Sequence, residues 1–205
     1  MLLTSSLTQI VLLIVFILVS LTIHEFMHAY IGFRLGDTTA RDEGRISLNP
    51  LRHIDPVMTV ALPIATIVLL GAPILAAKPV PFDPRYVKYE EFGAAMIAAA
   101  GPLSNLLLAI IGALAIRLVG DPSGFAYAAL SLFVVLNVAL FVFNILPIPP
   151  LDGSRVLYAF APEPLQRLLL QLEPFGLFLV FGLVFFGGLG GFIGTLNQYV
   201  LHFLP

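Results

Sequence analysis

Residues 7–33 form one nearly unbroken apolar run, LTQIVLLIVFILVSLTIHEFMHAYIGF. As a helix rising about 1.5 Å per residue it spans the roughly 30 Å of a bilayer's hydrocarbon with length left over for tilt. Lipid offers no partner to backbone N–H and C=O groups, so a segment of this kind must satisfy them within itself. The rest of the chain continues the theme. Of 205 residues, 59% are hydrophobic and 11% charged, whereas a soluble domain carries about 25% charged residues. A spanning barrel would show short alternating segments instead of long continuous ones. The sequence therefore predicts an all-α polytopic membrane protein embedded in the lipid bilayer.

Several classes are excluded at once. With no cysteine, neither thiolate metal sites nor disulfides are available. The net charge of -2 and the lack of a basic tract argue against nucleic acid as a partner. The N-terminus lacks the charged region and small-residue cleavage site of a signal peptide, so the first helix is expected to be retained. No polar stretch is long enough for a separate soluble domain, which predicts one membrane-embedded domain over residues 1–205. Its core covers about 7–160 and its C-terminal helices about 165–205.

Along the chain, helices are expected at about 7–33, 93–119 and 125–146, with one or two more spans within 165–205. The glycines between 187 and 191 mark the turn there. Residues 57–77 are apolar but broken by Pro63, Gly71 and Pro73, which suits a path that dips into the membrane and returns. The total is a bundle of about five to six transmembrane or re-entrant helices. Between the first two apolar segments, Arg45, Ile46, Ser47, Leu48 and Asn49 alternate polar and apolar before a proline. That pattern predicts a short strand or hairpin near residues 40–56.

The chemistry is concentrated at His24-Glu25-Phe26-Met27-His28, an HExxH sequence. On a helix, positions i and i+4 share a face, so both imidazoles can reach one ion while the glutamate points just aside. Ionisable groups inside a membrane segment are costly and are read first as functional. Zn²⁺ suits nitrogen and oxygen ligands with one open position, and a catalytic zinc wants a third protein ligand. The other two histidines, His53 in the polar stretch and His202 near the C-terminus, read as surface or interface residues. Asp152 stands in PPLDG, where prolines break the fourth helix; it reads either as an inward ligand or as an Asp-Gly turn at the membrane surface. Gly101-Pro102 marks close helix packing or a helix start.

Taken together, HExxH late in an apolar helix, AAGPLSN opening another and FNILPIPPLDG closing a third resemble the site-2 protease family of intramembrane zinc metalloproteases. The resemblance implies His24, His28 and Asp152 as zinc ligands and Glu25 as general base. It also implies that Asn105 and Asn144 help hold the substrate or the oxyanion, and that transmembrane proteins or peptides are the substrates. The chain has no room for the PDZ or CBS domain of many members, so it resembles the minimal ones. The competing classes are a membrane zinc transporter using His24, His28 and Asp152 as a transit site and a structural metal-binding membrane protein, but neither needs a glutamate placed for general-base work, and a structural zinc would want a fourth ligand that the sequence does not offer. The strand at 45–49 would pair with unwound substrate.

Geometry also constrains topology. If three ligands on the first helix and at the end of the fourth are to meet one ion, those two helices must run parallel, with an odd number of crossings between them. A returning 57–77 segment meets that condition and puts nine of the ten Lys and Arg residues on one side, with only Arg117 opposite. By the positive-inside rule that side is the cytoplasm. The expected location is a prokaryotic cytoplasmic membrane with the site toward the cytoplasmic face.

Overall fold

The computed structural model describes residues 6–54, 80, 81, 83–122, 124–185 and 188–205. Among them the regular structure is helical: α1 (Ser6–Arg34), α2 (Thr39–Asp42), α3 (Glu90–Val119), α4 (Phe125–Asn144), α5 (Asp152–Phe160), α6 (Glu163–Leu172), α7 (Gly176–Phe185) and α8 (Leu189–Phe203). Short 3₁₀ turns lie at Pro50–Arg52, Pro84–Tyr86 and Glu173–Phe175. Among the described residues four stretches are long and apolar enough to cross a membrane: Leu7–Arg34, Glu90–Val119, Phe125–Asn144 and Glu163–Leu183, the last running through α6 into α7. Large apolar side chains such as Ile10, Ile14, Leu118 and Phe178 point outward. A soluble protein rarely leaves so much apolar surface uncovered, and lipid is the solvent that accepts it. This is a helical membrane protein.

α3 is the central helix, packed against α1, α4 and α5. It can be central because its inward face is made of small residues, Ala95, Ala98, Ala100, Ala109 and Ala113 among them, which let neighbouring backbones approach. Pro102 lies inside it. The missing N–H would cost about 3 kcal/mol in a soluble helix, but membrane helices tolerate proline when neighbours support them. Helix three thus begins at Glu90, well before GPLSN, so Gly101-Pro102 marks close packing and not a start. Toward the far end, Ala109 and Ala113 meet Val134, Val138 and Val142 of α4, with Ile193, Leu196 and Val200 of α8 packed outside them.

The pairings fix direction. Phe16 meets Phe133 edge-on with ring centroids 5.2 Å apart, and further along both chains His24 meets Asp152. α1 and α4 therefore run parallel. α3 runs against both, since Ile97 lies beside His28 and Asn105 beside Ser20. The expectation for residues 57–77 lies outside the described residues. Their flanks, however, are tied together: the Asp83 N–H donates to Asp37 Oδ2 at 2.8 Å, and the Lys88 N–H donates to the Leu35 carbonyl at 2.9 Å.

The strand expected at Arg45, Ile46, Ser47, Leu48 and Asn49 is not found among the described residues. The chain there closes on itself. The Arg45 N–H donates to Ala40 O, the Ser47 N–H to Arg45 O, and the Asn49 N–H to Ser47 Oγ. Asn49 Oδ1 then accepts from Leu51 N–H to start the 3₁₀ turn. Alternation suggests pleating, but local bonds consume the donors a ladder needs. The same strap buries Arg45, whose Nη1 donates to the Arg52 carbonyl at 2.5 Å, and His53, whose ring bonds the Ser47 carbonyl at 2.7 Å. His53 is therefore an interior residue of a loop, contrary to the surface or interface position expected of it. Among the described residues the C-terminal region holds α6, α7 and α8, and Gly188 caps the start of α8; Gly187, the first glycine of the expected turn, lies outside the described residues.

Candidate metal centre

α1 carries His24 and His28 on one face, and both are buried. Asp152 arrives from a different direction. α4 ends at Asn144 because Pro147, Pro149 and Pro150 lack the N–H groups that would continue it. The connecting turn is held by bonds from Ile148 N–H to Leu146 O and from Leu151 N–H to Ile148 O. α5 then starts at Asp152. Its second residue must be glycine: a Cβ at Gly153 would overlap the carbonyls of Ile145 and Leu146. That close approach tucks the start of α5 under the end of α4 and aims Asp152 inward.

The three side chains converge. Nε2 of His24 and Nε2 of His28 are 3.0 Å apart, and Asp152 Oδ2 lies 3.2 Å and 3.4 Å from them. Ligands held at about 2.0–2.1 Å around a tetrahedral ion stand about 3.3 Å from one another. The observed triangle fits. The protons point elsewhere: His28 Nδ1 is 2.7 Å from the Ile97 carbonyl, and His24 Nδ1 is 2.6 Å from Asn105 Oδ1. A carbonyl can only accept, so these nitrogens are the donors, and in the neutral imidazoles the Nε2 lone pairs face each other and the carboxylate. Atoms this close need a shared proton or a metal ion between them. Among the described residues this trio is the group of His, Asp and Glu side chains that could hold a metal ion.

Gly101 completes the cradle from α3. A Cβ there would fall 2.6 Å from His24 Nε2 and closer still to His28 Nε2. Only a residue without a side chain leaves that space open, which gives GPLSN a physical reason for its glycine.

The centre opens into a cleft of about 520 Å³. Glu25 and Asn144 line it beside the trio, and Ile17, Leu21, Leu136 and Leu140 make its walls apolar. Asn144 Nδ2 donates to the Leu140 carbonyl at 3.0 Å, which holds the amide in place through one of its two N–H groups. Asn105, expected with Asn144 to help hold the substrate or the oxyanion, packs against His24. It is fully buried behind His24 and does not line the cleft. None of the residues 45–49 lines it either, and His53 and His202 stand apart from the trio.

Comparisons with known proteins place the chain in a family. The sequence model of peptidase family M50 matches residues 121–186, which hold Asn144 and Asp152. Three curated relatives are each named "Putative zinc metalloprotease". YwhC of Bacillus subtilis is 36% identical over 189 residues, covering 88% of this chain and 83% of its own. The chain belongs to the M50 peptidases, the site-2 protease family. Rip2 of Mycobacterium tuberculosis is 35% identical over 173 residues, 82% of this chain. Rip2 of Mycolicibacterium smegmatis is 31% identical over 167 residues, 80% of this chain. This chain spans less than two thirds of either Rip2, 64% and 62%. No solved structure matches it. In this M50 peptidase the HExxH pair lies on α1 and Asp152 at the α4–α5 junction.

Proposed function

We propose that this M50 peptidase is an intramembrane zinc endopeptidase that hydrolyses peptide bonds within or near transmembrane segments of other membrane proteins. The observation that carries the reading is the 3.0–3.4 Å triangle of His24, His28 and Asp152 at the inner end of an apolar cleft that Glu25 also lines. His24 and His28 offer Nε2 and Asp152 offers Oδ2 to the ion. Bound there, zinc supplies Lewis acidity and makes water a nucleophile near neutral pH. Glu25 takes the proton from the attacking water at its carboxylate and later delivers it to the leaving nitrogen. Asn144 has a spare amide N–H to donate to the oxyanion. The apolar walls take the substrate's side chains, and a helical substrate must unwind to offer its scissile peptide, because its backbone groups are otherwise bonded to one another.

The competing reading is a zinc transporter with the trio as a transit site. Glu25 disfavours it, since passage of an ion needs the ligands and not a neighbouring base. The test is direct. Purified zinc-loaded protein in detergent is offered a panel of tagged transmembrane peptides, and the same protein in liposomes is assayed for zinc flux. Cleavage without flux supports the peptidase; flux without cleavage overturns it.

A further inference from the structure

Asn137 lies in the middle of α4, in the apolar run VVLNVAL, and is fully buried. A carboxamide there is costly unless it is hydrogen-bonded at both ends. It is. Asn137 Nδ2 donates to the Phe133 carbonyl at 2.9 Å, and Asn137 Oδ1 accepts from Asn105 Nδ2 at 3.0 Å. Asn105 Nδ2 also lies 3.4 Å from the Ser20 carbonyl, and Asn105 Oδ1 meets His24 Nδ1 at 2.6 Å.

The chain of bonds has a direction. The Phe133 carbonyl can only accept, so Nδ2 is the end of Asn137 that faces it. That turns Oδ1 of Asn137 toward Asn105 and requires Asn105 to present its Nδ2. The Oδ1 of Asn105 is thereby left for His24, whose Nδ1 must carry the proton and whose Nε2 must carry the lone pair. Reversing either amide would put a donor against a donor, or would place the proton on the nitrogen that points to the ion. The neighbouring ligand needs no such relay, because His28 Nδ1 reaches the Ile97 carbonyl directly.

We propose that Asn137 is a positioning residue for metal binding: through Asn105 it fixes the ring orientation and tautomer of His24, although it lies two side chains away from the ion. The inference rests on the reading of His24, His28 and Asp152 as a zinc site, and it adds to that site a residue on α4 that touches neither metal nor substrate. Groups that orient ligating histidines typically alter metal affinity by about 10–100-fold when removed. A residue one step further out belongs at the lower end.

The experiment uses the full chain in detergent, with zinc alone as the probe, titrated against a chromophoric chelator. Cobalt substituted for zinc reports ligand geometry through its absorption spectrum. Asn137→Leu removes the relay while keeping the branched shape, and is expected to weaken zinc by about 10-fold and to shift the cobalt bands. Asn137→Asp in its protonated form can still donate to Phe133 O and accept from Asn105, and is expected to stay within about twofold of wild type. Asn197→Leu, on α8 away from the relay, serves as the control and keeps wild-type affinity. If Asn137→Leu gives no folded protein, Asn137→Ala carries the same comparison. Wild-type affinity in the Leu or Ala variant overturns the proposal. So does equal weakening by Asp and Leu, which would make the effect one of packing. If the wild type itself does not bind zinc, the metal reading falls and takes the relay with it; peptidase activity enters none of these outcomes.

Discussion

Replacing Gly101 with alanine is the smallest change that should empty the centre. The added Cβ would stand 2.6 Å from His24 Nε2 and nearer to His28 Nε2. His24 would have to retreat by about 0.8 Å to restore ordinary contact near 3.4 Å. Metal–ligand distances tolerate deviations of only about 0.2 Å, so the displacement exceeds the tolerance several times over. Neither imidazole can simply swing away, because each Nδ1 is pinned, to Asn105 and to the Ile97 carbonyl. Zinc affinity should fall by about 100-fold or more, the upper range for disturbing a ligand's support. Helix propensity works in the opposite direction: alanine is about 1 kcal/mol better than glycine in a helix interior. The variant should therefore stay helical and monodisperse while losing its metal. Gly194→Ala, in α8 with nothing near its Cβ position, is the matched control. Zinc content after dialysis, together with circular dichroism and gel filtration, reads both properties. A folded Gly101→Ala protein with wild-type zinc content would refute the placement of the ion over Gly101.

Other outcomes follow from the same geometry. Asp152→Ala should strip zinc on dialysis, whereas His202→Ala should retain it; loss in the second and not the first would mean that the third ligand is wrong. His53→Ala should also keep zinc, but it removes a buried bond to the Ser47 carbonyl and should lower the melting temperature by an amount corresponding to about 1–3 kcal/mol; unchanged stability would show that the strap does not depend on it. Single cysteines at Asp42 and Arg85, both exposed and in a chain without native thiols, should be labelled by an impermeant reagent from the same membrane face. That face should be the cytoplasmic one. Labelling from opposite faces would contradict the Asp37–Asp83 tie.

The parts of this protein that were legible in its sequence are those governed by local rules. Apolar length gave α1, α3 and α4 to within a few residues, because in lipid nothing else satisfies the backbone. HExxH was readable because a four-residue spacing on a helix is also a spatial distance. Gly101 and Asn105 were visible as a motif, but their jobs depend on which helix packs against which. Nothing in GPLSN says that Asn105 turns toward His24 and away from the cleft. Asn137 does carry a signal in the sequence: a lone amide within an apolar run, seven residues before Asn144. Such a group must find a partner in the bundle. The 45–49 segment misled because polar–apolar alternation accompanies pleating, yet the same residues here spend their N–H groups on Ala40, Arg45 and Ser47. Sequence alternation does not reveal that competition.

The central claim is that Glu25 acts as a base on a metal-activated water, and Glu25→Gln tests it most directly. Glutamine keeps the volume and the hydrogen bonding but cannot take a proton. General-base groups contribute about 10²–10⁴-fold. The variant should therefore carry zinc at the wild-type level and cleave a tagged transmembrane peptide at least about 100-fold more slowly. Wild-type cleavage by Glu25→Gln, with zinc verified in both proteins, would contradict the account.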